Sequence, residues 1–288
     1  MKFIKKYLNI ISILLIAIFI FSGCTKNAVN VLNSKVRSSH IIIHYIDVGQ
    51  GDSELIQVNG KNLLIDAGPN EAKDNLISYL KKYDIKKLDY VIATHPDEDH
   101  IGGMSSIIKK FDIYKFYAPK KTANTITFEN MITALKHKNM KINVPIPQVT
   151  DLNLGKNTRA EILAPNNTAY EDTNNYSIVL KITYGNTKFL FTGDAENKSE
   201  DEIIAKNYDL SADVLKIGHH GSSSSTSTEF LDKVDPKIAV ISCGRNNKYG
   251  HPTRNTVNKL KKKNIQIYRT DVDGTVLLTS DGSKINKK

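Results

Sequence analysis

Between residues 94 and 100 the chain reads Thr-His-Pro-Asp-Glu-Asp-His, with two imidazoles and three carboxylates in its last six positions. Like charges crowded so closely repel, and such a loop is poor for stability. A divalent cation offsets the repulsion. Imidazole nitrogen together with carboxylate oxygen suits Zn, Mn or Fe. His95 and Asp97 fall on one side of an extended loop by the period-two rule. Asp99 and His100, one turn further on, can reach a second ion. The plain alternative is a solvated acidic loop, and the histidines and acids that recur downstream weigh against it. Those are Asp194 after Phe191-Thr192-Gly193, the pair His219-His220 after an apolar run, and His251 after a glycine-containing turn.

The flanking pattern predicts how such residues are held. The stretch 88–95 (LDYVIATH) reads as a buried strand that delivers the acidic loop. Before it, 40–49 reads as a strand and 53–68 as a hairpin about Asn59-Gly60, a strong two-residue turn signal. Residues 75–83, 104–111 and 128–138 carry apolar positions at helical spacing, and 113–119 reads as a strand. The second half repeats this texture. Residues 159–165 form a strand, 176–194 a hairpin about Gly185-Asn186, 198–206 a helix, and 212–221 a strand ending in the two histidines. A strand at 236–244, a helix from 255 and two closing strands complete the chain. Two β-rich halves with interspersed helices imply an α+β protein of two packed sheets with helices outside. No Pro/Gly-rich linker divides residues 40–281, which count as one domain.

The motifs resemble the metallo-β-lactamase superfamily, whose metal sequence is written His-x-His-x-Asp-His. Here Asp97 replaces the second histidine. That departure, with Ile101-Gly102-Gly103, is similar to the C-terminal hydrolase domain of the competence protein ComEC and its stand-alone relatives. Further matches follow in order: Asp47-Val48-Gly49-Gln50-Gly51-Asp52, Asp66-Ala67-Gly68, Asn175-x-Ser177-x-Val179-Leu180, Phe191-Thr192-Gly193-Asp194, His219-His220-Gly221-Ser222 and Tyr249-Gly250-His251-Pro252. The resemblance spans residues 40–281 and implies an αββα four-layer sandwich.

It also implies roles. His95 and Asp97 would hold a first metal, Asp99 and His100 a second, and Asp194 would bridge the two. Asp66 would orient loops and ligands. Asp52, Asn175, Ser177 and Ser222 would support the metals or contact substrate. Asp99, His219 and His220 are the catalytic candidates. The last ligand is His251 or one of the histidine pair. The late place of His251 in the chain favours it, leaving the pair to face substrate as phosphate holder or general acid. Many superfamily members carry a further histidine where this chain has Asn174-Asn175-Tyr176-Ser177. The first site is then completed by water or by His219 or His220. Asp97 hardens the site, so Mn2+ rivals Zn2+. The glycines of residues 49–52 either bring backbone N–H groups to the site or simply make a tight turn.

The chain has 288 residues, a net charge of +10 and two cysteines. A disulfide framework and a four-cysteine zinc site are excluded. Residues 1–23 have a basic start, an apolar stretch and Ser22-Gly23 before Cys24. This resembles a lipoprotein signal peptide with Cys24 as the lipidated residue; an uncleaved anchor helix is the alternative. Both readings place the domain on the extracytoplasmic side. Lys2, Lys5 and Lys6 carry three of the excess charges, so a chain cut after Gly23 keeps +7. Residues 24–39 read as a flexible tether and 282–288 as a basic tail. Cys243 reads as a packed, inert thiol.

Two divalent ions about 3.5–4 Å apart would lower the pKa of a bridging water and clamp the oxygens of a displacement at phosphorus or an acyl carbon. The expected reaction is phosphodiester hydrolysis on an anionic substrate, DNA above all. A surface polymer or a phosphocholine-type small molecule is the alternative substrate. A non-catalytic DNA-binding role is a third reading.

Overall fold

A computed structural model describes residues 40–288. The expected signal peptide, Cys24 and tether lie outside the described residues.

The first half begins as an antiparallel meander of β1 (Ile41–Tyr45), β2 (Glu54–Val58) and β3 (Lys61–Ile65). Asn59 and Gly60 make the β2–β3 turn with φ of 53° and 75°. A two-residue turn of this hand needs positive φ at both positions, which Asn and Gly adopt with least strain. Helix α1 (Lys73–Lys82) then returns the chain to β4 (Lys87–Ile92), parallel to β3. Helices α2 (Glu98–Ile101) and α3 (Met104–Lys110) precede β5 (Asp112–Tyr117). Helix α4 (Ile126–His137), capped where Thr125 Oγ1 accepts from Phe128 N, leads to β6 (Ile142–Asn143).

The second half repeats the plan. β7 (Thr158–Ala164), β8 (Val179–Tyr184) and β9 (Thr187–Phe191) form the meander. Parallel strands β10 (Val214–Lys216), β11 (Ile238–Ile241) and β12 (Gln266–Arg269) follow, connected by helices. Those helices are α5 (Asn197–Ala205), α6 (Thr228–Val234) and α7 (Arg254–Lys262). After α8 (Thr270–Asp273), β13 (Val276–Ser280) crosses back to pair with β1. β14 (Ile285–Lys287) pairs with β13, so part of the stretch read as a basic tail is an edge strand.

One sheet has eight strands in the order β14-β13-β1-β2-β3-β4-β5-β6; the other has six, in the order β12-β11-β10-β9-β8-β7. Strand side chains alternate between faces. Ile41, Ile43, Tyr45, Leu63 and Ile65 therefore point to the seam, where they meet Phe189, Phe191, Val214 and Val240 of the other sheet. Leu55, Leu64 and Val91 face outward to Leu76, Leu80, Met104, Ile107 and Leu135 of the first helical layer. Leu190, Leu215 and Ala239 face outward to Ile203, Phe230 and Leu260 of the second. Each such large side chain stabilises the fold by about 1.5–3 kcal/mol on burial. Three apolar cores separated by two sheets make a four-layer αββα sandwich, as the motifs implied.

The parallel strands of both sheets open their carboxyl ends at one edge of the seam. Residues that follow β3, β4, β9, β10 and β11 therefore meet there, the edge at which open α/β sheets place their ligands.

Candidate metal centre

Asp66 follows β3 with φ of 54° and is fully buried. Its Oδ1 accepts from Thr94 N at 2.8 Å, and its Oδ2 accepts from Thr94 Oγ1 at 2.6 Å and His100 Nδ1 at 2.7 Å. These bonds join the ends of β3 and β4 and fix the His100 ring, so that Nε2 points into the seam. A carboxylate on the far ring nitrogen is how proteins orient an imidazole ligand.

His95 lies in the loop after β4, and Ser177 Oγ stands 3.3 Å from its Nδ1. Asp97 precedes α2; Asp99 and His100 lie within it. The loop at 47–52 supports this turn from below. Gly51, at φ 144°, leaves no room for a Cβ beside the Asp99 carbonyl, and Asp52 N donates to that carbonyl at 3.2 Å. The glycine there serves close packing, and the backbone of the turn holds the metal-type loop.

Asp194 follows β9, and its backbone N donates to Ser177 Oγ at 3.1 Å. Its Oδ2 lies 3.3 Å from both His100 Nε2 and His220 Nε2. The histidine pair follows β10 with consecutive left-handed backbones, φ 46° at His219 and 53° at His220. Such a conformation costs an L-residue roughly 1 kcal/mol and collects at functional sites. The two side chains diverge. His220 is buried, donates from Nδ1 to the Ser242 carbonyl at 2.9 Å, and brings Nε2 to 3.2 Å from Asp99 Oδ2. A carbonyl can only accept, so Nδ1 carries a proton, and Nε2 is the atom that would give up its own proton to hold a cation. His219 is partly exposed. Its Nδ1 lies 3.0 Å from Glu196 Oε1 and its Nε2 lies 3.7 Å from Asp194 Oδ2.

The buried atoms that lack a hydrogen-bond partner include His95 Nε2, His100 Nε2, His220 Nε2, Asp194 Oδ1 and His251 Nδ1. Ligand atoms of His95, His100 and Asp194 lie within 4.8 Å of one another, as do those of Asp99, His100 and His220. Unpaired polar atoms are costly when buried, and these imidazole and carboxylate atoms are the donors divalent ions take. The residues fit the metal-type reading. His251 and Asp97 fall outside both groups. The Asp97 side chain is 46% exposed, with Oδ2 3.7 Å from His95 Nε2. The His251 ring stands 6.5 Å from that of His220, at the mouth of the same pocket. Chain order favoured His251 over the pair; the structure brings His220 into the close groups and leaves His251 beside them, because the short β10 ends close enough to carry His220 into the cluster.

The electrostatics follow from this crowding. Burial works against charge on Asp194, but His220 and His100 hold it well below the usual carboxylate range. Burial lowers His100 and His220, yet Asp194, with Asp66 for the first and Asp52 for the second, lifts both well above the ordinary imidazole value. The histidines and acids compensate one another.

Lys216 and Glu196 were not singled out in the sequence. Lys216, the last residue of β10, is 1% exposed and in direct ion-pair contact with Asp52. Burial would lower its ammonium, but Asp52, Asp194 and Glu54 outweigh that and raise it. A lysine inside the apolar run Asp-Val-Leu-Lys-Ile is the signal that could have revealed it. Glu196 holds His219 and accepts from Ser224 Oγ at 2.6 Å. Asn175, expected to support the metals or contact substrate, uses Oδ1 to accept from Ser199 N at 3.1 Å and Glu196 N at 3.3 Å, organising the start of α5. Ser222 lies 2.9 Å from Ser224 Oγ and supports that loop.

Residues 46–245 match the metallo-beta-lactamase superfamily. The chain belongs to that superfamily. Metallo-β-lactamase-fold proteins are generally metal-dependent hydrolases and commonly bind divalent ions. The chain is 33% identical to ComE operon protein 3 of Bacillus subtilis over 261 residues, covering 83% of this chain and 33% of that protein. It is 32% identical to Recombination protein 2 of Haemophilus influenzae, covering 80% of this chain and 28% of that one. The chain therefore spans about a third of the length of these relatives. Among solved structures, the metallo-beta-lactamase fold protein YhfI from Bacillus subtilis shares the fold at a TM-score of 0.54 and 15% identity, over 80% of this chain and 95% of that one. Igni18, a metallo hydrolase of Ignicoccus hospitalis, does so at 0.52 and 18%, over 82% and 98%.

Proposed function

We propose that this metallo-β-lactamase-fold protein is an extracytoplasmic phosphodiesterase that hydrolyses DNA with two divalent ions, Zn2+ or Mn2+. The observation that carries the reading is the convergence of unpartnered His95, His100, His220 and Asp194 atoms at the seam. Ions bound there supply a lowered pKa for water and neutralise charge on phosphoryl oxygens.

The chain's own residues do the rest. Asp66 and the Ser242 carbonyl fix the rings of His100 and His220, and Asp99 closes the second group. Asp194 holds the two loops to one point. Lys216 neutralises Asp52, which keeps that carboxylate in a supporting place beside His220 Nδ1, 3.3 Å away. Glu196 orients His219, whose Nε2 faces the pocket and offers a proton to a phosphoryl or leaving oxygen. His251 lines the mouth of that pocket.

Relatives named for competence and recombination favour DNA, as does the positive charge of the chain. The lipobox-like Ser22-Gly23-Cys24 supports a site outside the cytoplasm with lipid on Cys24 as the tie to the membrane. A panel of single-stranded DNA, bis-nitrophenyl phosphate and nitrophenyl-phosphocholine tests the substrate. Metal-dependent DNA cleavage that Asp99→Ala abolishes is the expected result; wild-type cleavage by Asp99→Ala contradicts the site, and turnover of the choline ester alone contradicts the substrate. Cys24→Ser releases the protein from the membrane if the lipid anchor is right, and unchanged retention with full maturation contradicts it.

A further inference from the structure

A groove of about 530 Å³ opens beside the cluster of histidines and acids. Gln50, Asp97, Asp99 and Tyr249 line both the groove and the pocket that holds the cluster, so the two are continuous. Tyr249 is 55% exposed, unusual for a large aromatic side chain with a preformed support. Its ring stacks on His251 with centroids 5.8 Å apart and planes 23° apart. The Tyr-Gly-His turn is held by Asn247, whose Oδ1 accepts from Tyr249 N and His251 N at 3.2 and 3.0 Å. The platform is therefore rigid, and one face of the Tyr249 ring is backed. Pro69 and Pro96 supply apolar surface elsewhere in the groove. At the junction, Gln50 Oε1 accepts from Gly244 N at 3.0 Å, while its buried Nε2 has no partner.

We propose that this groove is a stacking subsite for an unpaired nucleobase next to the scissile phosphate. Tyr249 is the platform and Gln50 Nε2 the donor to a phosphate oxygen. The proposal rests on the phosphodiesterase reading and names the form of its substrate, a single strand. A base in a duplex already has both faces covered; an unpaired base has a face to give, and aromatic platforms bind such bases with little regard to sequence. Lys248 carries its ammonium 5.1 Å from the Tyr249 ring centre, where it can follow the base's own phosphate. Glu71, Asp97, Glu98 and Asp99 also line the groove and outnumber Lys248, so the case against a quaternary ammonium ligand rests on Tyr249, the single aromatic residue of the lining and short of the cage that such a cation takes.

The test compares kcat/KM of the Mn2+-loaded full chain for an oligothymidylate and for an abasic deoxyribose-phosphate strand of the same length. Wild type favours the thymidylate by roughly tenfold, the worth of one stacked base. Tyr249→Ala brings the ratio to about one, and Tyr249→Phe, which keeps the ring, preserves it. Gln50→Glu keeps the acceptor for Gly244, removes the donor and slows both strands alike. Equal cleavage of both strands by wild type, or a preference untouched by Tyr249→Ala, overturns the subsite while leaving the phosphodiesterase reading intact. Cleavage of neither strand overturns both. Loss of nitrophenyl-phosphocholine turnover in Tyr249→Ala, with the thymidylate preference retained, assigns the groove to a cation and overturns the proposal.

Discussion

The loops that follow β4 and β10 occupy matching places in the two sheets, yet they bring histidines to the seam by different means. The β4 loop is dense in donors and has the ordinary geometry of a short helix, with His95, Asp97, Asp99 and His100 within six positions. The β10 loop has two donors and a strained backbone, with His219 and His220 both left-handed. Its aim is set from a distance, by the Ser242 carbonyl, Asp52 and Glu196. One loop carries its function in composition, the other in conformation and long-range partners. Asp194 is where they meet.

The largest effect should come from breaking that meeting point. Asp194→Ala removes the carboxylate that lies 3.3 Å from both His100 Nε2 and His220 Nε2 and lowers turnover by about a thousandfold, the several kcal/mol expected for losing metal-borne charge stabilisation, with metal content falling in parallel. Asp66→Asn acts on the β4 loop alone, through His100 Nδ1. It weakens metal affinity by roughly 10- to 100-fold, measured by competition with a chromogenic chelator, and leaves the β10 loop in place.

This contrast explains what was legible. The αββα class, both hairpins and the acidic metal-type loop follow from local signals, because period-two alternation, Asn-Gly turns and donor density are all written within a few residues. Asp66 and Asp194 each carried a motif; Asp66 bonds Thr94 and His100, and Asp194 lies between His100 and His220. The choice between His220 and His251 was not local. It depends on where β10 stops and on Ser242, which lies on another strand. Asn175 Oδ1 accepts from Glu196 N and Ser199 N across two elements, so its supporting place at the start of α5 was not visible locally. Lys216 looked like an ordinary strand residue until Asp52, more than 160 positions away, came to face it.

The seam beneath the two loops sharpens the comparison further. Glu54 on β2 is buried; desolvation and then the Asp52 charge push its carboxyl well above the usual range. The folded form therefore keeps a proton that the unfolded form releases above its pKa of about 4.3. Stability is full below that pH and falls as pH rises towards the folded value. Glu54→Gln keeps the shape without the charge and flattens the decline, read as urea midpoints from about pH 5 to pH 8 with chelator present.

The smallest effect separates the loop backbones. His219→Gly removes left-handed strain worth about 1 kcal/mol and loses the contact with Glu196, so its unfolding midpoint stays level or rises. His95 has no positive φ to relieve. His95→Gly instead gains unfolded-chain entropy and deletes a buried ring, so it loses more than about 0.5–1 kcal/mol. Equal losses in both variants would show that the β10 loop is not strained.

Metal stoichiometry tests the joining of the two loops most directly. Purified protein is stripped with chelator, reloaded with Mn2+ or Zn2+, desalted and assayed for metal per chain in wild type, His220→Ala and His251→Ala. The account predicts two ions in wild type and in His251→Ala, and no more than one in His220→Ala. Two ions in His220→Ala with a loss in His251→Ala would contradict it, and would return the last ligand to the residue that chain order first suggested.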